Sequence, residues 1–435
     1  MRLLSLSLIT TSLLFFVSAE PALCGADAKL SCSTALNPCC SQYGYCGAGG
    51  YCLGGCDPRF SLKPAACMPA PVCRSGSWKF ANQLKSRIAD GASYLGDSSR
   101  YDWSVSYGGE FSFNDDYGLL KMDPRTSKSG TVLSSTNYVW YGNIKATMKT
   151  ARGAGVVTAF ILMSDVKDEV DFEWLGHKLG RTETNYYWQG VKKYDKMRAD
   201  EGSFNTFTEW HTYEIDWTPS QLSWKIDGKE FRNIKKFDTL DPATGIYKYP
   251  QTPALVQFSV WPGGGDAATD DTAAWAGGRI DWVNHPDIKY PGYYYAKIKQ
   301  VDITCYDPPS KAKALGSTQK SYAYDDIMRG LEDSVVITNR STILGSSVAS
   351  GLDQNKGVEQ VSKEELGKID SVPGLAGAGT GNEKAKQGPH TDQGIGGKQG
   401  NNDWGQGAFS RGDAGRFTFD STLAALVAGA AVLVV

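Results

Sequence analysis

The stretch Asp168-Glu169-Val170-Asp171-Phe172-Glu173-Trp174 sets acidic and apolar residues in alternation from Glu169 onward. Along a strand, side chains point to opposite faces with a period of two. Glu169, Asp171 and Glu173 therefore share one face, and Val170, Phe172 and Trp174 share the other. The apolar set is expected to pack into a sandwich core, leaving the acids facing away from it. Three carboxylates in a row repel one another and raise each other's pKa, which contributes nothing to stability. It does suit a reaction that needs one ionised and one protonated carboxyl, as retaining glycoside cleavage does. A third acid between them can set their protonation states. In a flat strand, residues i and i+4 lie ~13 Å apart at Cα, whereas retaining pairs need carboxyls at ~5–5.5 Å. The side chains must therefore lean together. On this stretch alone, an ordinary strand with an acidic solvent face fits as well.

Similar short alternating runs fill residues 74–308. Examples are YVWYGNIKATMK (138–149), GVVTAFIL (155–162), WHTYEIDW (210–217) and LSWKIDGKEFR (222–232). The last reads as two strands joined by an Asp-Gly turn. Helical periodicity is scarce. The fold class expected is all-β: an antiparallel sandwich or jelly roll. Inward-pointing Glu, Asp and Trp on one concave sheet would form a glycan cleft. The 22 Tyr, 12 Trp and 16 Phe supply flat stacking surfaces as well as core, with Trp217 and Trp282 assigned to the core. A net charge of −2 gives no electrostatic case for nucleic acid or an anionic membrane. His177, His211, His285 and His390 are scattered without metal-ligand spacing. No metal and no cofactor is expected.

Of the ten cysteines, nine lie between Cys24 and Cys73, and the tenth is Cys305. So dense a cluster describes a small module held by disulfides in place of a large core. The run Cys39-Cys40-Ser41-Gln42-Tyr43-Gly44-Tyr45-Cys46-Gly47, followed by Tyr51-Cys52, resembles hevein-like chitin-binding modules. That resemblance implies the bridges Cys24–Cys40, Cys32–Cys46 and Cys39–Cys52. It also implies sugar contacts from Ser41, Tyr43, Tyr45 and Tyr51, with the tyrosines exposed because little core exists to absorb them. Cys56 then has Cys67 as its nearest free partner. Cys73 and Cys305 remain, and their long closed loop would stabilise by ~4–5 kcal/mol in the chain-entropy model.

The acidic motif DEVDFEWLG (168–176) resembles the signature of glycoside hydrolase family 16, and more closely that of the fungal Crh cell-wall transglycosylases. STNYVWYG (135–142), NYYWQG (185–190), QFSVWPGG (257–264) and WAGG (275–278) add to the likeness. The resemblance implies Glu169 as nucleophile, Asp171 as its assistant and Glu173 as acid/base. It also implies substrate contacts at Trp261 and Thr272, with Tyr187, Gln189 and Trp275 as further cleft candidates. Arg232 is either a cleft residue or a plain surface cation. By the same resemblance, chitin is the donor and β-glucan the acceptor. A hydrolytic β-1,3(4)-glucanase of the same fold and a non-catalytic wall lectin are the alternatives. No single residue decides between water and a sugar hydroxyl as the second nucleophile.

The two ends read as processing signals. Arg2, the apolar run Leu3–Val17 and the small residues up to Ala19 form a secretory signal over residues 1–19. At the other end, small residues, a polar spacer and an apolar tail match a GPI-anchor signal over 413–435, with attachment at Gly412 or Asp413. Between them we expect the hevein-like module (20–66), the sandwich (67–308), a domain-wrapping extension (309–347) and a disordered linker (348–412). The linker is rich in Gly, Lys, Gln and Asn and poor in aromatics. Asn339-Arg340-Ser341 is the one glycosylation sequon. The expected product is a monomeric, secreted, surface-anchored protein that touches a membrane only through its lipid.

Overall fold

The computed structural model describes residues 22–358, apart from 27, 92, 107, 192–195, 267 and 326–331. The expected signal sequence (1–19), GPI signal (413–435) and most of the expected linker lie outside the described residues.

Two large antiparallel sheets form a sandwich. One runs Arg198–Glu201, Arg181–Tyr187, Glu169–Leu175, Val156–Ser164, Ala254–Pro262, Thr131–Val139, Trp103–Val105, and its last strand, Ile88–Asp90, pairs in parallel with Trp103–Val105. The other runs Lys229–Lys235, Gln221–Ile226, His211–Trp217, Gly142–Lys149, Tyr294–Cys305, Gly118–Met122, Glu110–Phe113, with Gly76–Lys79 also paired to Tyr294–Cys305. The all-β sandwich is the expected fold.

The core lies between the sheets. Val170, Phe172 and Trp174 belong to it, with Phe172 and Trp174 stacked at 5.7 Å between ring centroids. Burying the polar tip of an indole is cheap only when its N–H finds an acceptor. Trp140 donates to Gln251 O, Trp174 to Thr182 Oγ1, Trp217 to Pro250 O and Trp224 to Asp171 O, each at 3.0 Å. Trp217 is fully buried, and Trp282 packs at the core's edge.

The run 138–149, expected as one strand, is divided between the sheets. Tyr138 and Val139 end one strand, and Gly142 opens a strand in the opposite sheet. Tyr141, at φ 66°, makes the corner between them. Alternation continues through such a corner because both strands face the same core. The Asp227-Gly228 turn joins its two strands as expected, with positive φ at both residues.

The cysteine-rich module is held by Cys24–Cys40, Cys32–Cys46, Cys39–Cys52 and Cys56–Cys67. Cys73–Cys305 ties the chain entering the sandwich to the end of its strand Tyr294–Cys305. The extension beyond residue 308 does more than wrap the domain. Lys313–Leu315, Ser321–Tyr324 and Val335–Thr338 form a small sheet with Ala70–Pro71. Ordered chain also continues past the expected boundary at 347. Gly49 N–H donates to Ala349 O and Gly351 N–H to Ala66 O, both at 2.8 Å, so residues 341–358 form a strap over the module. Composition gives no sign of this, because the strap is held by backbone bonds and small residues.

Candidate active site

Strand pairing builds the acidic face one rung at a time. Glu169 stands opposite Met163 and Tyr187, Asp171 opposite Ile161 and Asn185, and Glu173 opposite Ala159 and Glu183. One strand further, Gln257, Ser259 and Trp261 occupy the same face. The result is three acids flanked by an apolar strip on one side and by Glu183, Asn185 and Tyr187 on the other.

All three acids are buried: Glu169 is 5%, Asp171 0% and Glu173 3% exposed. Burial raises each carboxyl well above its ordinary value, and the neighbouring acids divide the effect unequally. For Glu169, the neighbouring Asp171 carboxyl works against burial, while the charge of Glu173 adds to it. For Asp171, the neighbouring Glu169 carboxylate adds to burial. For Glu173, burial is followed by the charges of Asp171 and Glu183. All three carboxyls therefore hold their protons to higher pH than free ones, with Asp171 opposing the rise at Glu169 and Glu169 adding to it at Asp171. The acid side chains also leave Glu169 Oε1, both oxygens of Asp171 and Glu173 Oε1 buried without a hydrogen-bond partner.

The Glu173 end of the face is aromatic. Trp261, on the sheet, stacks at 5.9 Å and 29° with Trp275 of the short helix Asp270–Trp275. Trp275 Nε1 donates to Glu183 Oε2 (3.0 Å), and Arg181 Nε donates to Glu183 Oε1 (2.8 Å). Glu183 thus fixes the tryptophan while lying across from Glu173. Sequence reading overlooked Glu183, although its alternation with Asn185 and Tyr187 was a usable signal. Thr272 is buried in the helix, its hydroxyl 2.8 Å from that of Thr269, which caps the helix.

At the Glu169 end, the Tyr187 hydroxyl accepts from Asn185 Nδ2 (2.7 Å). Gln189 N–H donates to Asp168 Oδ1 (3.0 Å). Asp168, pushed up to about 6 by burial, also accepts from Gln251 N–H and the Thr252 hydroxyl. It fastens the start of the acidic strand to two loops and stays off the acidic face.

Arg232 is in neither expected place. It donates to Thr184 O and Thr184 Oγ1 and to Lys196 O, and lies 4.4 Å over the ring of Trp224. Thr184 pairs with core-facing Phe172, so Arg232 is held on the core side of the sheet, away from the acids. Its charge still reaches Asp171 and opposes the rise there.

None of the module's expected sugar-contacting residues stands fully exposed: Tyr43 and Tyr45 are half-buried, and the other two are buried. Ser41 is 2% and Tyr51 4% exposed. Gly47 leaves room for Tyr51: a Cβ there would lie 2.3 Å from Tyr51 Cγ. Tyr51 packs among Leu53, Met68, Tyr94, Leu344 and Ala349, with Tyr45 at the edge of that cluster. Tyr43 packs against Val132, Ala159, Ile161 and Met163 on the acidic face of the sandwich. The small domain absorbs its tyrosines because it is not alone: sandwich and strap supply the missing core.

Residues 98–284 match the model for glycosyl hydrolases family 16. Crh-like protein 2 of Aspergillus fumigatus is 43% identical over 385 residues, covering 86% of this chain and 85% of that protein. Crh-like protein UTR2 of Candida albicans is 43% identical over 344 residues, covering 78% of this chain and 72% of its own. Among solved structures, a Crh5 transglycosylase in complex with NAG is similar at 25% identity and a TM-score of 0.51, covering 65% of this chain and 99% of that one.

Proposed function

Because the chain belongs to the Crh-like family within glycosyl hydrolases family 16, we propose that it is a retaining transglycosylase of the fungal cell wall that cleaves chitin and passes the cut chain to β-glucan. The observation that carries this reading is the row of three acids buried side by side on one face of the sheet. In the first half-reaction, Glu169 attacks the anomeric carbon, and the departing glycosidic oxygen takes the proton of Glu173. A glycosyl ester of Glu169 results. In the second, Glu173 removes the proton of an acceptor hydroxyl, which displaces Glu169 and forms the new glycosidic bond. Asp171 keeps its proton and steadies the charge on Glu169 through both steps. The stacked Trp261–Trp275 pair offers a platform for a sugar ring at the Glu173 end. Thr272, Tyr187 and Gln189 stand as further substrate contacts, and Ser41, Tyr43, Tyr45 and Tyr51 as the module's contacts to chitin once the module is freed from the sheet and strap that cover it.

We assign the protein to the outer surface as a monomer, secreted by residues 1–19 and lipid-anchored at Gly412 or Asp413. Asn339 is exposed and open to glycosylation.

A fluorescent β-glucan acceptor incubated with chitin and enzyme should acquire long labelled products. Glu169→Gln should abolish them, a loss of at least about 10³-fold. Shortened chitin with all label left in the short acceptor would instead make the protein a hydrolase.

A further inference from the structure

The acids occupy the face of the sheet that points away from the sandwich core, yet they are nearly inaccessible. The strand Val156–Ser164 is buried at every position, on both faces. An antiparallel sheet of this kind ordinarily leaves one face to solvent. The cover here is the cysteine-rich module. Tyr43 lies on Ala159, Ile161 and Met163, which stand opposite Glu173, Asp171 and Glu169 in turn. Bonds to the turn before the acidic strand fasten the module: Lys167 Nζ donates to Gln42 O (2.9 Å), and Gly55 N–H donates to Asp165 Oδ1 (2.9 Å). Arg59 Nη1 donates to Gln189 Oε1 (3.3 Å). Gly55, at φ 81°, brings its N–H there only because it lacks a Cβ, which would lie 2.4 Å from Gln42 Oε1.

The contact is well matched in its apolar part and poorly matched in its polar part. Buried without hydrogen-bond partners are both amide atoms of Gln42 on the module, and on the sheet the acid oxygens named above with Gln257 Oε1, Ser259 Oγ and Trp261 Nε1. A polar group buried without a partner is less stable than a bonded one. A polysaccharide offers a ring face to the apolar strip, as Tyr43 does, and adds several hydroxyls for the orphaned atoms.

We propose that the module's sugar-binding surface and the catalytic face are each other's ligand in the free enzyme, with Tyr43 occupying the place of a sugar ring. A chain of N-acetylglucosamine units competes for both surfaces, so engaging the module and uncovering the acids are one exchange. The enzyme is then closed until its donor polymer is at hand. This rests on the transglycosylase reading above.

The test compares wild type, Tyr43→Ala, Tyr43→Phe and Asp165→Ala, all full-length, with a labelled glucan acceptor. The donor is a short N-acetylglucosamine oligomer. If about nine in ten molecules are closed, opening raises kcat/KM by about tenfold. Tyr43→Ala and Asp165→Ala should show that rise, and Tyr43→Phe, which keeps the ring on the sheet, should not. Asp165→Ala acts from the sandwich side and leaves the module's sugar surface untouched, so it stands if Tyr43→Ala does not fold. An unchanged or lowered kcat/KM in Tyr43→Ala or Asp165→Ala, with a normal thermal transition, overturns the proposal. Absence of labelled product from every variant, with wild type equally inactive on long chitin, would sink the transglycosylase reading instead.

Discussion

Glu183 does two things from one position. It accepts from Trp275 Nε1, which holds the tryptophan against Trp261, and its charge lies near Glu173. That charge raises the pKa of Glu173, so the group proposed as acid/base keeps its proton to higher pH. Glu183→Gln removes the charge. The alkaline limb of the kcat/KM–pH profile should then move to lower pH, because Glu173 loses its proton sooner. A profile unchanged in position, with only its height reduced, would limit Glu183 to holding the tryptophan. The three central acids could be picked out by alternation alone, since the period of two assigns them one face whatever surrounds the strand. Glu183 shares the alternation of Asn185 and Tyr187, but setting it beside the acids required knowing which strand lies next to them, and Arg232 required knowing which side of the sheet its own strand covers.

At the scale of elements, the turn Ser164–Asp168 is the joint between module and sandwich. Burial pushes Asp165 up to about 7 from its ordinary 3.8, against the hydrogen bonds of Tyr138 and Gly55 that pull it down. In the unfolded chain it titrates near the ordinary value. Between about pH 4 and pH 7 the folded protein therefore holds a proton that the unfolded chain lacks, and this contribution to stability is lost as pH rises through that window. Asp165→Asn keeps an acceptor oxygen and has no proton to lose. Its Tm relative to wild type should increase from pH 4 to pH 8. A constant difference across that range would mean that Asp165 is not buried in solution as it is here. Nothing in the local sequence marks the turn as a joint: Ser164, Asp165, Lys167 and Asp168 read as ordinary turn residues, and their partners come from far along the chain.

At the scale of the whole molecule, Cys73–Cys305 closes a span of 232 residues around the sandwich. Replacing both by Ser should cost up to about 5 kcal/mol in the chain-entropy model, seen as a lower midpoint in urea with most of the activity kept in the folded fraction. A midpoint within error of wild type would show that the strands alone define the closure. The strap of residues 341–358 belongs to this scale too. It reaches back to Gly49 and Ala66 and completes a module that could not build its own core.

By itself the sequence determined the strands, the acidic face, the clustered cysteines and the aromatic stacking residues. Those follow from periodicity, turn chemistry and residue type, which act over a few neighbours. Only the tertiary structure decided that the module's tyrosines face inward, that the acids lie beneath them, and that Arg232 stands on the core side. These depend on which surfaces meet, and an apolar tyrosine face meets an apolar strip on a sheet as readily as it meets a sugar. The acidic row was legible from the start as chemistry in waiting; that the chain itself covers it was not.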